Sequence, residues 1–181
     1  GQQKIEWVQR NMPILNQLED QFAQERPFAG KRVTVCIHLE AKTAYLALVL
    51  RAGGATVSVT GSNPESTKDD VVAALAAEGL HVYARHGASP EEMRRYMSIA
   101  LELQPHVVID DGGDLVELLH ESQRQHGEQM LGACEETTSG VLRARARAKA
   151  GQLDFPVMLV NDARCKYLFD NVHGTGQSAW D

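Results

Sequence analysis

The sequence contains few cysteines and no long apolar run. Its 181 residues include only Cys36, Cys134 and Cys165, and an odd number at wide spacing argues against both a disulfide framework and a zinc site. Cys36 and Cys134 lie in apolar runs and are predicted to be buried thiols. No stretch of 18 apolar residues is present and the first residues lack a signal-peptide core, so we expect a cytoplasmic protein with no metal site.

Positive charge is scarce as well. The chain has 18 Lys and Arg against 24 Asp and Glu, and its formal net charge of -6 offers no electrostatic surface for nucleic acid or an anionic membrane. One basic run, RARARAK, covers residues 143–149. Its helical spacing favours a solvated helix face, and binding of a phosphate or a partner is the alternative.

Short apolar runs alternate with helix-like stretches along the whole chain. The runs predict six strands, at residues 32–38, 55–60, 81–84, 106–110, 130–134 and 157–161. The intervening stretches predict helices at residues 5–24, 41–51, 68–77, 90–103, 114–123 and 138–150. No linker, repeat or low-complexity segment interrupts this pattern. It predicts one α/β domain with a doubly wound, mainly parallel sheet of about six strands and helices on both faces.

Polar clusters follow five of the six predicted strands. Ligands of such sheets bind outside the carboxyl ends of the strands, near the point where the strand order reverses. Because parallel strands bring these ends to one edge, the sequence predicts a ligand site there. The clusters are HLEAKT (38–43), GSNPEST (61–67), DDGGD (110–114), EETTSG (135–140) and ND (161–162), the last leading to Lys166.

The DDGGD cluster has a structural and a functional interpretation. Glycines suit a tight turn, and Asp114 is a candidate N-cap for the following helix. Two adjacent acids at a strand end, Asp110 and Asp111, exceed what capping requires. A Mg²⁺ site is conceivable for three carboxylates, but no phosphate-cradling loop accompanies them.

Helix capping is an alternative to a functional interpretation in two other clusters as well. Thr137 or Thr138 is expected to begin a helix, and Ser66 or Thr67 is expected to cap another. Capping does not explain two glutamates at the end of a strand (135–136). We therefore expect one of these two carboxylates to point into the crevice.

Histidine and lysine supply the remaining candidates. His38 ends an apolar strand and is either structural or catalytic. Lys166 and Asp170, four residues apart, form either an exposed helix pair or a general base with a tuned pKa. The apolar residues 167–169 between them favour a partly buried turn and the second interpretation, with Asn171 supplying orientation.

Several motifs together resemble a known family over essentially the whole chain. The motifs, in order, are HLEAKTAYLALVL, GSNPESTKDD, VIDDGGDL, EETTSGV and NDARCKYLFDNVHGTGQSAWD. On these motifs the chain resembles the amino-terminal part of S-adenosylhomocysteine hydrolase, and it is more similar to the thermophilic-bacterial and archaeal branch than to the animal one. The resemblance implies a Rossmann-like or flavodoxin-like substrate-binding domain at residues 1–181.

The resemblance implies a reaction as well as a fold. The family uses bound NAD⁺ to oxidise the ribose 3′-hydroxyl of S-adenosylhomocysteine, after which a base removes the 4′ hydrogen. Homocysteine is eliminated, water adds, and the NADH reduces the ketone to give adenosine. Proton removal from an alcohol during hydride transfer suits a lysine beside an aspartate and an asparagine.

Site residues follow from the same resemblance. Lys166 and Asp170, with Asn171, lie at the ribose in the family, Asp111 matches its acid/base aspartate, and His38 matches the histidine near the leaving sulfur. The substrate-binding positions are Glu136 at the ribose hydroxyls, Glu40, Lys42 and Thr43. The cofactor-side positions are Thr137, Thr138, Ser139, Asn171 and Thr175.

The chain departs from the animal-type motif near the base. Glu40 and Lys42 stand where that motif has a threonine and a glutamate that reads the adenine amino group. A lysine can only donate, which suits the 6-oxo group of hypoxanthine better than adenine. There are two smaller departures. Lys68 stands where the family motif STQD has its glutamine, and Thr175 stands where animal enzymes have a cysteine near the cofactor.

The family's NAD-binding domain is not expected in this chain. Family members continue into a Rossmann domain with a GxGxxG loop and end in a tail that caps a neighbour's cofactor site. Here GTGQSA (174–179) has two glycines and follows no strand, so we expect the chain to end at the hinge before that domain. The resemblance implies a homotetramer for the full-length form. The alternatives are a nucleoside-binding module without catalysis and a flavodoxin-like domain with another use for its polar edge.

Overall fold

A single six-stranded sheet forms the centre of the protein. The computed structural model describes residues 1–178 and residue 180, and all strand pairings in this part of the chain are parallel. The strands are β1 (Arg32–Ile37), β2 (Thr56–Gly61), β3 (His81–Tyr83), β4 (Val107–Asp110), β5 (Gly132–Glu135) and β6 (Val157–Leu159). Their spatial order is β3-β2-β1-β4-β5-β6. The predicted parallel α/β sheet of six strands is confirmed.

Helices connect the strands in the order that the apolar pattern predicted. In the described residues they are α1 (Gln2–Asn11), α2 (Pro13–Glu25), α3 (Ala41–Ala52), α4 (Asp69–Ala77), α5 (Pro90–Leu101), α6 (Asp114–His120), α7 (Thr138–Lys149) and α8 (Gly176–Ser178). Two 3₁₀ turns (Arg124–His126 and Val160–Asp162) and a π-helix (Lys166–Thr175) complete the set. None of these helices is long and apolar enough to cross a membrane.

The core lies on both faces of the sheet. Val35 and Val59 are completely buried in one apolar cluster, together with Tyr45 of α3 and Leu75 of α4. A second cluster packs α5 and α6 against Val108 and Cys36. Cys36 is completely buried, as predicted, whereas Cys134 is only half-buried and Cys165 is exposed; all three are free thiols.

Several predicted boundaries are wrong. The helices predicted at 90–103 and 114–123 end at Leu101 and His120, and the strand predicted at 157–161 ends at Leu159, where a 3₁₀ turn begins.

Two further errors have a clear physical reason. The single helix expected at residues 5–24 is two helices, because Pro13 lacks an N–H and disfavours the helical conformation at Met12, which has φ -122° and ψ 72°. The strand expected at 130–134 begins two residues later and ends at Glu135. Its apolar start misled the prediction: Leu131 precedes the strand and is 56% exposed.

The last segment forms a π-helix where helical spacing suggested an ordinary α-helix. The N–H of Gly176 donates to the carbonyl of Asn171, five residues earlier. Such helices are rare and occur frequently at functional sites.

Candidate active site

The strand order reverses between β1 and β4, and the residues that follow these two strands meet there. The Nε2 atom of His38, after β1, lies 3.4 Å from Oδ2 of Asp111, after β4. Ser62, which follows β2, donates a 2.8 Å hydrogen bond to the same oxygen. The His38 side chain is 51% exposed and that of Asp111 only 9%, so the histidine faces the open crevice above a held carboxylate.

The turn after β2 supports His38 from the other side. Ser66 or Thr67 was predicted to cap α4, and this prediction is wrong: Lys68 occupies the N-cap and its side chain makes no cap bond. Instead both hydroxyls donate to the carbonyl of Asn63, at 3.1 and 2.9 Å. The Ser66 hydroxyl also lies 2.6 Å from Nδ1 of His38.

The two aspartates after β4 have different environments. Asp110 is completely buried and accepts hydrogen bonds from the N–H groups of Asp111 (3.1 Å) and Val116 (3.0 Å), so it caps α6 from a distance. The capping prediction for Asp114 is therefore wrong, and that residue forms an exposed ion pair with Arg143 at 2.8 Å. Burial raises the pKa of Asp110 to about 8.

The two glutamates after β5 repeat this division. Glu135 is 1% exposed, and its Oε1 accepts the N–H groups of Gly112 (2.9 Å) and Thr137 (3.1 Å), which ties two site loops together. A Cβ atom at Gly140 would overlap its carboxyl group, so the glutamate needs a glycine beside it. Burial raises the pKa of Glu135.

Glu136 is the half-buried member of that pair and faces the site. Its N–H donates to the carbonyl of Asp110 at 3.1 Å. Burial raises the pKa of its carboxyl group, and the Asp111 carboxylate raises it further. The positive charge of Lys166 opposes this shift. Glu135 is thus buried and Glu136 lies beside the other site residues, which agrees with the prediction that one of these two glutamates points into the crevice.

Lys166 joins the π-helix to the sheet edge. Its Nζ donates 2.7 Å hydrogen bonds to the carbonyl oxygen of Glu136 and to Oδ1 of Asn161. No ion pair joins it to Asp170 within the described part of the chain, which argues against the exposed-pair interpretation. Asp170 and Asn171 are exposed on the same helix, and the Asp170 carboxylate raises the pKa of Glu136.

The apolar side chains around Lys166 are not buried. Tyr167 is 73% exposed, Leu168 51% and Phe169 59%. The predicted partly buried turn is therefore wrong for these three residues, although Lys166 itself is half-buried. Both hydrogen bonds of Lys166 go to residues at the sheet edge, Glu136 and Asn161.

The predicted substrate-binding residues after β1 are spread over the first turn of α3. Glu40 is the half-buried N-cap, Lys42 is exposed, and no ion pair connects them among the described residues. Thr43 is buried and donates a 2.5 Å hydrogen bond to the carbonyl of His38. It therefore fixes the histidine's backbone.

The predicted cofactor-side residues lie in two places. Thr137 is the N-cap of α7, as expected for the start of that helix, but its side chain makes no cap bond. Thr138 and Ser139 are exposed in the first turn, and Nδ2 of Asn161 approaches the Thr138 hydroxyl at 3.5 Å. Thr175 is exposed at the far end of the π-helix.

The basic run on α7 pairs with acidic side chains on neighbouring elements. Besides the Arg143 pair, Arg145 lies 2.7 Å from Asp162, and Arg147 pairs with Glu121. The predicted solvated helix face agrees with the exposure of Arg143 (51%) and Arg145 (62%), whereas the Arg147 side chain is only 21% exposed. Across residues 1–178 and 180, no group of three or more His, Cys, Asp or Glu side chains could hold a metal ion.

Comparison with known proteins identifies the family. The family model described as S-adenosyl-L-homocysteine hydrolase matches residues 1–131. The chain belongs to this family. It is 52% identical to an adenosylhomocysteinase of Pyrococcus abyssi, 50% to an S-inosyl-L-homocysteine hydrolase of Methanocaldococcus jannaschii and 48% to an adenosylhomocysteinase of Thermotoga maritima. Each match covers all 181 residues of this chain but only 43%, 44% and 45% of the relative, respectively.

Four residues of this family member's site were missed from sequence. Glu135 ties two loops together, Ser62 holds Asp111, Ser66 contacts His38 and Asn161 accepts from Lys166. Each lies within one of the five polar clusters, so its place at the sheet edge was predictable. The partner of each side chain depends on which loops face each other, and a single strand-helix pattern does not contain that information.

Proposed function

We propose that residues 1–181 form the substrate-binding domain of an adenosylhomocysteinase, which hydrolyses S-adenosyl-L-homocysteine reversibly to adenosine and homocysteine. The observation that carries the proposal is the convergence of His38, Asp111, Glu136 and Lys166 at the reversal of strand order. The ligand is a small nucleoside thioether, and the proposed full-length assembly is a homotetramer. Nucleic acid is not a proposed partner, in line with the net charge of -6.

The bonding of Lys166 suits transfer of the 3′-hydroxyl proton. An amine nitrogen has three positions besides its carbon, and two of them point to the oxygens of Glu136 and Asn161. The third position carries a proton in the ammonium form and a lone pair in the neutral form. Lys166 can therefore exchange a proton with a hydroxyl at this one position while both of its anchoring bonds persist, and Asp170 and Asn171 orient that hydroxyl.

The remaining residues act on the ribose and on the leaving group. Glu136 accepts hydrogen bonds from the ribose hydroxyls, and Asp111 exchanges the proton at the 4′ carbon. His38, half exposed above Asp111, protonates the leaving sulfur and later takes a proton from the attacking water. Ser62 keeps one oxygen of Asp111 occupied, so the other oxygen is free for substrate.

The proposed cofactor, NAD, is not held by this sheet alone. The strand order matches that of dinucleotide-binding folds, but the turn after β1 is His38-Leu39-Glu40 and has none of the glycines that let a pyrophosphate approach the backbone. The exposed hydroxyls of Thr138 and Ser139, with Thr137, Asn171 and Thr175, fit only the nicotinamide side. When bound, NAD supplies the hydride acceptor. We expect titration calorimetry of this chain with NAD⁺ to give weak binding or none.

A chimera tests the proposed activity. Residues 1–181 replace the matching segment of the Pyrococcus abyssi adenosylhomocysteinase, and homocysteine release from S-adenosylhomocysteine is followed with a thiol reagent. We expect turnover from the chimera. A folded chimera that contains NAD and binds adenosine but releases no homocysteine would instead support a binding module without catalysis.

A second candidate activity is the hydrolysis of S-inosyl-L-homocysteine. Lys42 is exposed beside the site and free of Glu40, so its ammonium can donate to a 6-oxo group. Relatives with either name are about equally similar to this chain, at 52% and 50% identity. We propose that the chimera accepts the inosyl compound at least as well as the adenosyl compound. A clear kcat/KM preference for the adenosyl compound would refute this and identify Glu40 as the residue that reads the base.

A further inference from the structure

We propose that Ser66 is a positioning residue that keeps Nδ1 of His38 hydrogen-bonded in each protonation state of the ring. The Ser66 hydroxyl lies 2.6 Å from Nδ1 and 3.1 Å from the carbonyl oxygen of Asn63. It therefore has a ring nitrogen and a carbonyl within reach of one rotatable proton. The inference rests on the proposed function, because it concerns the proton that His38 exchanges with substrate.

Proton counting explains why a hydroxyl suits this position. When His38 is neutral with its proton on Nε2, facing Asp111, Nδ1 has a lone pair and Ser66 donates to it. When His38 gains a second proton, Nδ1 becomes a donor, and the Ser66 oxygen accepts while its own proton turns to Asn63. The doubly protonated ring can then give its Nε2 proton to the leaving sulfur while it keeps the proton on Nδ1, which still donates to Ser66. Nδ1 therefore stays hydrogen-bonded in all three states of the ring.

The turn that carries Ser66 is built to hold it in place. The N–H of Glu65 donates to Oδ1 of Asn63 at 2.8 Å, and Thr67 donates to the same Asn63 carbonyl as Ser66. The N–H of Lys68 donates to the carbonyl of Leu39 at 3.0 Å. This last bond connects the turn directly to the residue after His38, so the distance between Ser66 and the ring is set by the backbone.

The charged groups near His38 lie on its other side. Oδ2 of Asp111 is 3.4 Å from Nε2. Glu136 is near enough to His38 that a positive charge on the histidine lowers the pKa of the Glu136 carboxyl group. Both acids favour a proton on the Nε2 side. Ser66 is neutral, so it determines the orientation of the ring and which nitrogen carries the proton. The two acids stabilise the charged form of the ring.

The direct test is the tautomer of His38 in this chain. Long-range ¹⁵N–¹H spectra of the ring nitrogens, assigned with His38→Asn, should show the Nε2–H form at neutral pH. Ser66→Ala should convert this into a mixture of tautomers, and Ser66→Thr should restore the original spectrum because it keeps the hydroxyl. An unchanged tautomer in Ser66→Ala would overturn the proposal. This measurement is independent of turnover, so it stands even if the chimera is inactive.

The kinetic test uses the chimera and a matched control. Ser66→Ala should lower kcat roughly 10–100-fold, the loss that follows when the group orienting a metal-ligating histidine is removed, because the orienting hydrogen bond is of the same kind. It should change KM by no more than about threefold, because the proposed role of Ser66 is to orient His38 and not to bind substrate. Thr67→Val removes the neighbouring hydroxyl bond to Asn63 but keeps the Ser66 hydroxyl, so it should lower kcat much less than Ser66→Ala does. Equal losses in both variants would assign the effect to the turn and overturn the role of Ser66.

Discussion

At the sheet edge, Asp111 and Glu136 each follow a buried carboxylate that binds backbone N–H groups, whereas Lys166 stands on a helix whose apolar side chains face outward. The first region is fixed by strands and buried hydrogen bonds. The second is connected to it by two bonds from a single ammonium. The comparison shows that one half of the candidate site is preorganised by the fold, while the position of the other half depends on a few polar contacts.

The largest expected effect comes from the lysine that joins the two halves. Lys166→Ala in the chimera should lower the rate of 3′-oxidation about 10²–10⁴-fold, because a positioned proton acceptor is lost. Bound NAD should remain, since no cofactor-side hydroxyl is removed. The measurement is the absorbance of reduced NAD after adenosine is added. Lys149→Ala, an exposed lysine at the end of α7, is the control, and equal rates in both variants would contradict the role of Lys166.

The preorganised half predicts a smaller effect on stability. Gly140→Ala places a methyl group against the carboxyl of Glu135, and such overpacking of a buried site costs about 1–3 kcal/mol of unfolding free energy. Denaturant unfolding measures it. Gly127→Ala is the matched control, because its Cβ would meet only ordinary contacts and its effect should stay within about 0.5 kcal/mol. A Gly140→Ala variant as stable as that control would show that Glu135 is held loosely.

The buried carboxylates also predict a pH dependence. The folded-state pKa of Asp110 is about 8, far above the ordinary value, so above pH 4 the native state holds a proton that the unfolded state has lost. The stabilisation is present at low pH and is lost as pH rises toward 8, with a limiting slope of about 1.4 kcal/mol per unit. Glu135 acts in the same direction. His106, whose pKa burial lowers, acts oppositely below about pH 6.5.

The window between about pH 6.5 and 8 therefore isolates the carboxylates. Asp110→Asn should flatten the fall of unfolding free energy in this window, whatever its effect on the absolute value. Asp114→Asn is the control, since Asp114 is an exposed carboxylate paired with Arg143 and is not one of the buried acids. If the unfolding free energy falls with pH equally steeply in the Asp110→Asn variant and in the unsubstituted chain, Asp110 is ionised in the native protein.

The strand-helix pattern predicted which loops meet, because parallel strands end at one edge whatever their exact limits. It did not predict which acid of each doublet is buried. Asp110 and Glu135 are adjacent in register on neighbouring strands. Asp110 accepts from the N–H of Val116, six residues later, whereas Glu135 accepts from that of Gly112, which is 23 residues away and is brought near only by folding. Ser66 was assigned to a helix cap for the same reason: its histidine partner is 28 residues away in sequence.

The smallest expected effect concerns the connection of α7 to the segment before the π-helix. Arg145 pairs with Asp162, but the two side chains are 62% and 40% exposed, so Arg145→Ala should change global stability by only about 0.2–1 kcal/mol.

If few contacts hold the Lys166 helix, this loss should be concentrated there. Amide hydrogen exchange of residues 166–175 should then accelerate while the strands stay protected, since weakly packed segments open locally. Arg124→Ala removes an equally exposed pair with Asp154 that lies away from this helix, and exchange at 166–175 should not respond to it. Identical protection of the helix in both variants would mean that Lys166 alone anchors it, and the contrast between the two halves of the site would then rest on a single side chain.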